Sequence, residues 1–205
     1  MILRCTQRLL KGSGLQLAAD PPTSDAALGE WFANVVPLPF AGRSVVMYSS
    51  ANTLLTVLVP GRAVRTTLPG FRERLPRLLE RLGLPPEWIR EQALALEPVY
   101  YARTNDRRVL GTMNDLANGT WFWAEDAGSF DRFDLDRTEL ELAGTPLRML
   151  DSSSPDIMVT QLARPGTDRY TLAAELHRRH ESYRRDPGDV IPIEEALDDI
   201  ERSLG

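Results

Sequence analysis

The chain has 205 residues, 42% hydrophobic and 26% charged, with a formal net charge of −5 and a single cysteine, Cys5. One cysteine excludes an intramolecular disulfide and a cysteine metal cage, and no apolar run approaches the roughly 20 residues of a membrane-spanning helix. The charge is uneven: residues 1–123 carry 14 basic and 10 acidic side chains, residues 124–205 carry 10 and 19.

The opening residues lack a charged segment followed by an apolar core, so the expected location is the cytoplasm. Residues 1–10 alternate imperfectly and predict a strand running into a turn at Gly12-Ser13-Gly14. A proline-bearing loop covers 20–25. Further strands are predicted at 31–36, 43–49 and 54–59, where Val45, Val46 and Tyr48 are typical strand formers. Phe71, Leu75, Leu78, Leu79 and Leu82 then recur at spacings of three and four, predicting a helix with Pro76 as a kink or restart. Gly83 ends it, and Pro86 opens a second helix over 87–96.

The stretch 98–103 predicts a central strand, followed by the motif TNDRRVLGTMNDL at 104–116. Val109, Met113 and Leu116 give that motif a short helix. Asn118-Gly119 predicts a turn, and Thr120-Trp121-Phe122-Trp123 a short aromatic strand. Residues 127–136 form an acidic loop. The alternation at 138–142, with 146–150, predicts a hairpin, and Asp151-Ser152-Ser153-Ser154-Pro155 is the best linker. Arg164-Pro165-Gly166 is a further break. Beyond it, Leu172, Leu176 and Tyr183, then Leu197, Ile200 and Leu204, fall at helical spacings. Elements of one kind occur in runs, so the expected class is α+β, with a mixed or antiparallel sheet and packed helices. The expected organisation is a domain over 1–150 and a mostly helical acidic tail over 151–205.

No phosphate-cradling glycine loop, zinc helix or nucleophile elbow occurs. His177 and His180 have a metal-compatible spacing but no third ligand, and Asp131, Asp134 and Asp136 lack the glycine and closing glutamate of a calcium loop. No cofactor or metal is expected. Cys5 reads as a small core residue, and Trp31, Trp121 and Trp123 as core aromatics rather than a stacking platform. The candidate polar site is Arg4, Thr6, Asn34, Thr104, Asn105, Arg107, Asn114 and Asp115, which can hydrogen-bond an anion or a base edge. The competing reading is structural, with Asn105-Asp106 as turn chemistry and Asn114-Asp115 as a buried cap network.

MILRCTQRLL at the start, GEWFANVV at 29–36 and TNDRRVLGTMNDL resemble, in order, the motifs of an uncharacterised bacterial domain family. The resemblance covers roughly 1–123 and implies no activity. By position it implies Arg4, Cys5, Thr6, Asn34, Thr104, Asn105, Arg107, Asn114 and Asp115 as recurrent polar residues, with Arg108 departing from a usual serine. The segment from Ala174 through Asp186-Pro187 to Leu197 is similar to the C-terminal part of addiction-module antitoxins. The function expected first is a non-enzymatic binding or regulatory module in a toxin–antitoxin or defence setting. Its partner would be a protein, or a second copy, engaged through the C-terminal helices. Membrane association is not expected, and duplex DNA binding is expected to be weak or absent. The alternative is a small enzyme acting on nucleic acid or nucleotide, with Arg107, Asn114 and Asp115 in its site.

Overall fold

The computed structural model describes residues 1–164, together with Arg178, Glu181 and Arg185. Five strands, β1 (Ile2–Cys5), β2 (Trp31–Pro37), β3 (Ser44–Ser50), β4 (Thr56–Pro60) and β5 (Tyr100–Arg103), form one sheet in the order β4-β3-β2-β1-β5. β1 runs parallel to β2 and β5, while β3 is antiparallel to β2 and β4. The class is α+β, a mixed sheet with packed helices.

Alternation along the strands sends side chains to two cores. Leu3, Cys5, Trp31, Ala33, Val46 and Tyr48 face one side, covered by α1 (Gln7–Leu10), α2 (Val64–Arg81) and α3 (Pro86–Leu94). There Phe71 of α2 stacks on Tyr48, with ring centroids 4.4 Å apart, and meets Trp31 edge-on at 4.8 Å. Phe32, Val36, Val45 and Met47 face the other side, covered by α4 (Arg107–Ala127). β3, buried along its whole length, is apolar on both faces because both are covered.

Each outer strand has an edge group taken. At β4, α5 (Leu135–Ala143) straddles the edge, putting Leu140 and Ala143 into the first core and Leu142 into the second. The backbone N–H of Leu58 donates to Glu139 Oε1 at 2.7 Å. Glu139 is fully buried, and Arg74 donates to it from Nε at 3.1 Å and Nη2 at 2.9 Å. Arg74 and Arg81 also pair with Asp136. At β5 the Ala18 N–H donates to the Tyr101 carbonyl at 2.8 Å.

Several sequence expectations are corrected. The opening strand stops at Cys5, and Thr6 begins the single turn of α1, which buries Leu9. β5 is an edge strand, not the central one, which is β2. α2 is one helix of 18 residues through both Pro69 and Pro76, because its buried stripe outweighs the two lost hydrogen bonds.

The expected turn at Asn118-Gly119 and strand at 120–123 are instead the second half of α4, a 21-residue helix. Thr120 and Ala124 continue the stripe of Val109, Met113 and Leu116, and the helix stops at Gly128 in the left-handed region. Gly119 is there for packing: a Cβ would stand 3.2 Å from Leu142 Cδ2.

The expected hairpin is α5 and a short 3-10 turn at Arg148–Leu150. Asp134 caps α5 by accepting from the Arg137 N–H at 3.0 Å. The expected linker is a packed turn in which Leu147 N–H donates to Ser153 O at 2.9 Å, and it enters α6 (Pro155–Ala163) with Ser153, Ser154 and Pro155 buried. Asp134 and Asp136 are thus spent on a cap and an ion pair, and no cluster able to hold a metal occurs among the described residues. The expected tail helices and the His177/His180 pair lie outside the described residues.

Burial moves the Glu139 carboxyl from its ordinary 4.5 up to about 7, against the opposing pull of Arg74 and the Leu58 N–H. Between those values the folded chain holds more protons at this group than the unfolded chain does. Its contribution to stability therefore falls as pH rises through the window. Melting temperatures of the wild type and Glu139→Gln across it should show the wild type losing ground to the variant. A gap that moves the other way would refute the assignment. Because Val159 on α6 is fully buried in the first core, a chain ended after Asp151 should melt well below one ended after Arg164. Equal melting would mean that α6 adds nothing to the fold.

Candidate functional site: the groove at the ends of β1 and β5

β1 and β5 are adjacent and parallel, and their last residues, Cys5 and Arg103, are in register. From there the chain leaves in opposite directions. β1 feeds α1, whose Leu9 packs in the first core, and β5 feeds α4, whose Val109 and Met113 pack in the second. Neighbouring parallel strands that continue to opposite faces leave a crevice at their carboxyl ends. A groove of about 860 Å³ lies there.

Its polar lining is Gln7 and Arg8 of α1, Lys11 and Ser13 just after it, and Arg103 and Thr104 at the end of β5. Leu10, Leu15 and Leu17 provide an apolar wall, and Cys5 is at the base. The loop forming that wall is tied at three points. Ser13 Oγ donates to Leu10 O at 2.9 Å, Arg65 Nη2 donates to Gly14 O at 2.8 Å, and Ala18 pairs with Tyr101.

Arg8, Lys11 and Arg103 are all solvent-exposed, and no acidic side chain lines the groove among the described residues. The result is a cationic, partly apolar recess suited to a negatively charged ligand. The Cys5 thiol is fully buried, and burial pushes it up to about 12. It therefore stays protonated and is a poor nucleophile at neutral pH.

The eight residues of the sequence-derived polar set divide into groups. Arg4 and Thr6 flank Cys5 at the end of β1, and Asn34 lies midway along β2. Arg4 is clamped by Glu30, with Nη2 donating to Oε1 at 3.0 Å, and its Nη1 donates to the Arg103 carbonyl at 3.2 Å. Thr6 Oγ1 donates to Asn34 Oδ1 at 3.1 Å. Thr104 lines the groove. Asn105 and Arg107 are exposed on either side of Asp106, which caps α4 by accepting from the N–H groups of Arg108 and Val109.

Asn114 and Asp115 are also exposed, about two turns further along α4. They form no buried cap network, and roughly 12 Å of helix rise separates Arg107 from Asp115. Of the aromatics, Trp31 is core, whereas Trp121 is exposed. Gln7, Arg8, Lys11, Ser13 and Arg103 were missed as groove residues. The cluster Arg4-Arg8-Lys11 ahead of a Gly-Ser-Gly loop was the signal for most of them.

A family model matches residues 2–158, from the first strand into α6. The chain belongs to the family described as "Domain of unknown function (DUF6933)". The match to DUF6933 takes in the sheet, the second core, the first core apart from Val159, and every residue lining the groove. No curated protein and no solved structure matches the chain. No described helix is long and apolar enough to cross a membrane.

Because the side chains of Asn114 and Asp115 are exposed and make no hydrogen bond among the described residues, their removal strands no buried partner. Asn114→Ala and Asp115→Ala should each change unfolding free energy by less than about 0.5 kcal/mol. A loss of 1 kcal/mol or more in chemical denaturation would return these residues to a structural role.

Proposed function

We propose that this DUF6933 domain is a non-enzymatic binding module whose groove at the β1 and β5 ends takes a phosphorylated small molecule. The observation that carries this reading is the groove's charge. Arg8, Lys11 and Arg103 converge there with no lining carboxylate among the described residues. Three cations suit a phosphate or pyrophosphate group, which Ser13, Thr104 and Gln7 can further hydrogen-bond. Leu10, Leu15 and Leu17 suit an apolar body attached to it. A groove of about 860 Å³ is within the range that small-molecule ligands occupy.

The lining favours binding over catalysis. Its one thiol is held protonated, and no carboxylate or histidine among the described residues lines the groove to act as general acid or base. In this reading ligand capture is coupled to a protein partner in a toxin–antitoxin or defence setting. The support for that part is the apolar spacing of Leu172, Leu176, Leu197, Ile200 and Leu204 in the acidic C-terminal segment.

Calorimetric titration with pyrophosphate, a nucleoside monophosphate, a nucleoside triphosphate and the uncharged nucleoside tests the groove. Binding is expected for one or more phosphorylated compounds and not for the nucleoside. It should weaken at least tenfold in Arg103→Ala and in Arg8→Ala, as expected for losing one charge-assisted contact of about 1.5–3 kcal/mol. No binding by any of them, or equal binding by the uncharged nucleoside, would defeat the proposal.

A further inference from the structure

The outward face of α4 contributes no lining residue to the groove and carries an unusual set of side chains. At about 100° per residue, Arg107, Gly111, Asn114, Asn118, Phe122 and Glu125 fall on one continuous stripe. All six are exposed, and the stripe is opposite the buried line of Val109, Met113, Leu116 and Thr120.

Two of its members are poor choices for a merely solvated surface. Phe122 is 59% exposed beside Trp121 at 41%, a neighbouring pair of large aromatics facing water. Gly111 sits inside the helix, where glycine is the least favourable residue after proline. A Cβ there would meet nothing within 4 Å, so this fold does not require a glycine at that position.

The stripe is complementary to itself when reversed. Placed antiparallel against a second copy about its midpoint near Leu116, Arg107 stands opposite Glu125 of the second copy. Gly111 stands opposite Phe122, and Asn114 opposite Asn118. Each charge meets its opposite, each amide meets an amide, and each large ring meets the position with no side chain. Both halves of every contact come from one surface, as a two-fold interface demands. Bare backbone at Gly111 lets the helices approach closely enough for the ring to pack over it.

We propose that α4 is a homodimerisation surface on which two copies of this chain pair antiparallel, Phe122 of each packing over Gly111 of the other between Arg107–Glu125 ion pairs. One helix pair about 30 Å long is at the small end of specific interfaces. The dimer therefore forms and dissociates with protein concentration. The charged ends place it under salt control as well.

Sedimentation velocity of the full chain over a wide concentration range reads this directly. A monomer–dimer equilibrium is expected. Gly111→Arg, which fills the position with a long charged side chain, should abolish the dimer while leaving the melting temperature of the monomer unchanged or raised. Arg107→Glu and Glu125→Arg should each weaken the dimer strongly, and the two together should restore it, because the ion pairs reform with reversed sign. A chain monomeric at every concentration overturns the proposal. So does a dimer that persists in Gly111→Arg, or a double reversal that fails to restore what the folded single variants lost.

Discussion

One buried carboxyl group ties the outer elements of the fold together. Glu139 joins three elements that share no local sequence: the outer edge of β4 through the Leu58 N–H, α2 through Arg74, and α5, on which it resides. A strand edge must find partners for its backbone, and a buried charge must find both a counter-charge and hydrogen bonds. Here each requirement answers the other. The Leu58 N–H and the Arg74 guanidinium both donate to the one carboxylate, and α5 is held where its leucines can close both cores at once.

The same interaction explains what was legible in the sequence and what was not. β2, β3 and β4 could be read directly, because Val35-Val36, Val45-Val46 and the pair Val57 and Val59 come in short β-branched runs closed by turn residues. The stripe of α2 was equally plain. Residues 138–142 were not, since a buried glutamate looks like the polar half of an alternating strand until Arg74, 65 positions away, is brought beside it. In α4, Asn118-Gly119 carries a strong local turn signal, and only the unbroken run of Val109, Met113, Leu116, Thr120 and Ala124 shows that packing overrode it. The glycine that resembles a turn residue is the one over which Leu142 fits.

The candidate site was legible in part for a different reason. Arg4, Thr6 and Asn34 stand on or beside predicted strands and Thr104 opens the motif, and strand pairing brings Thr6 to Asn34 and Arg4 to the Arg103 carbonyl next to Thr104. Arg8 and Lys11 become groove residues only through the parallel register that sets Cys5 level with Arg103. No local pattern contains that register. Asn114 and Asp115 belong to the same sequence motif as Thr104 but not to the same place, because the helix that continues from the motif carries them away along its axis.

The occupied sheet edges bear on how this domain can meet another molecule. Many small domains recruit extended peptides by letting them join a sheet as an additional strand. In this chain Glu139 and α5 lie along one outer strand, and the Ala18 segment is paired to the other. An incoming strand would have to displace one of them first. Binding by strand addition is thereby disfavoured at both edges. That arrangement also withholds the templates along which sheets of neighbouring molecules fuse into aggregates.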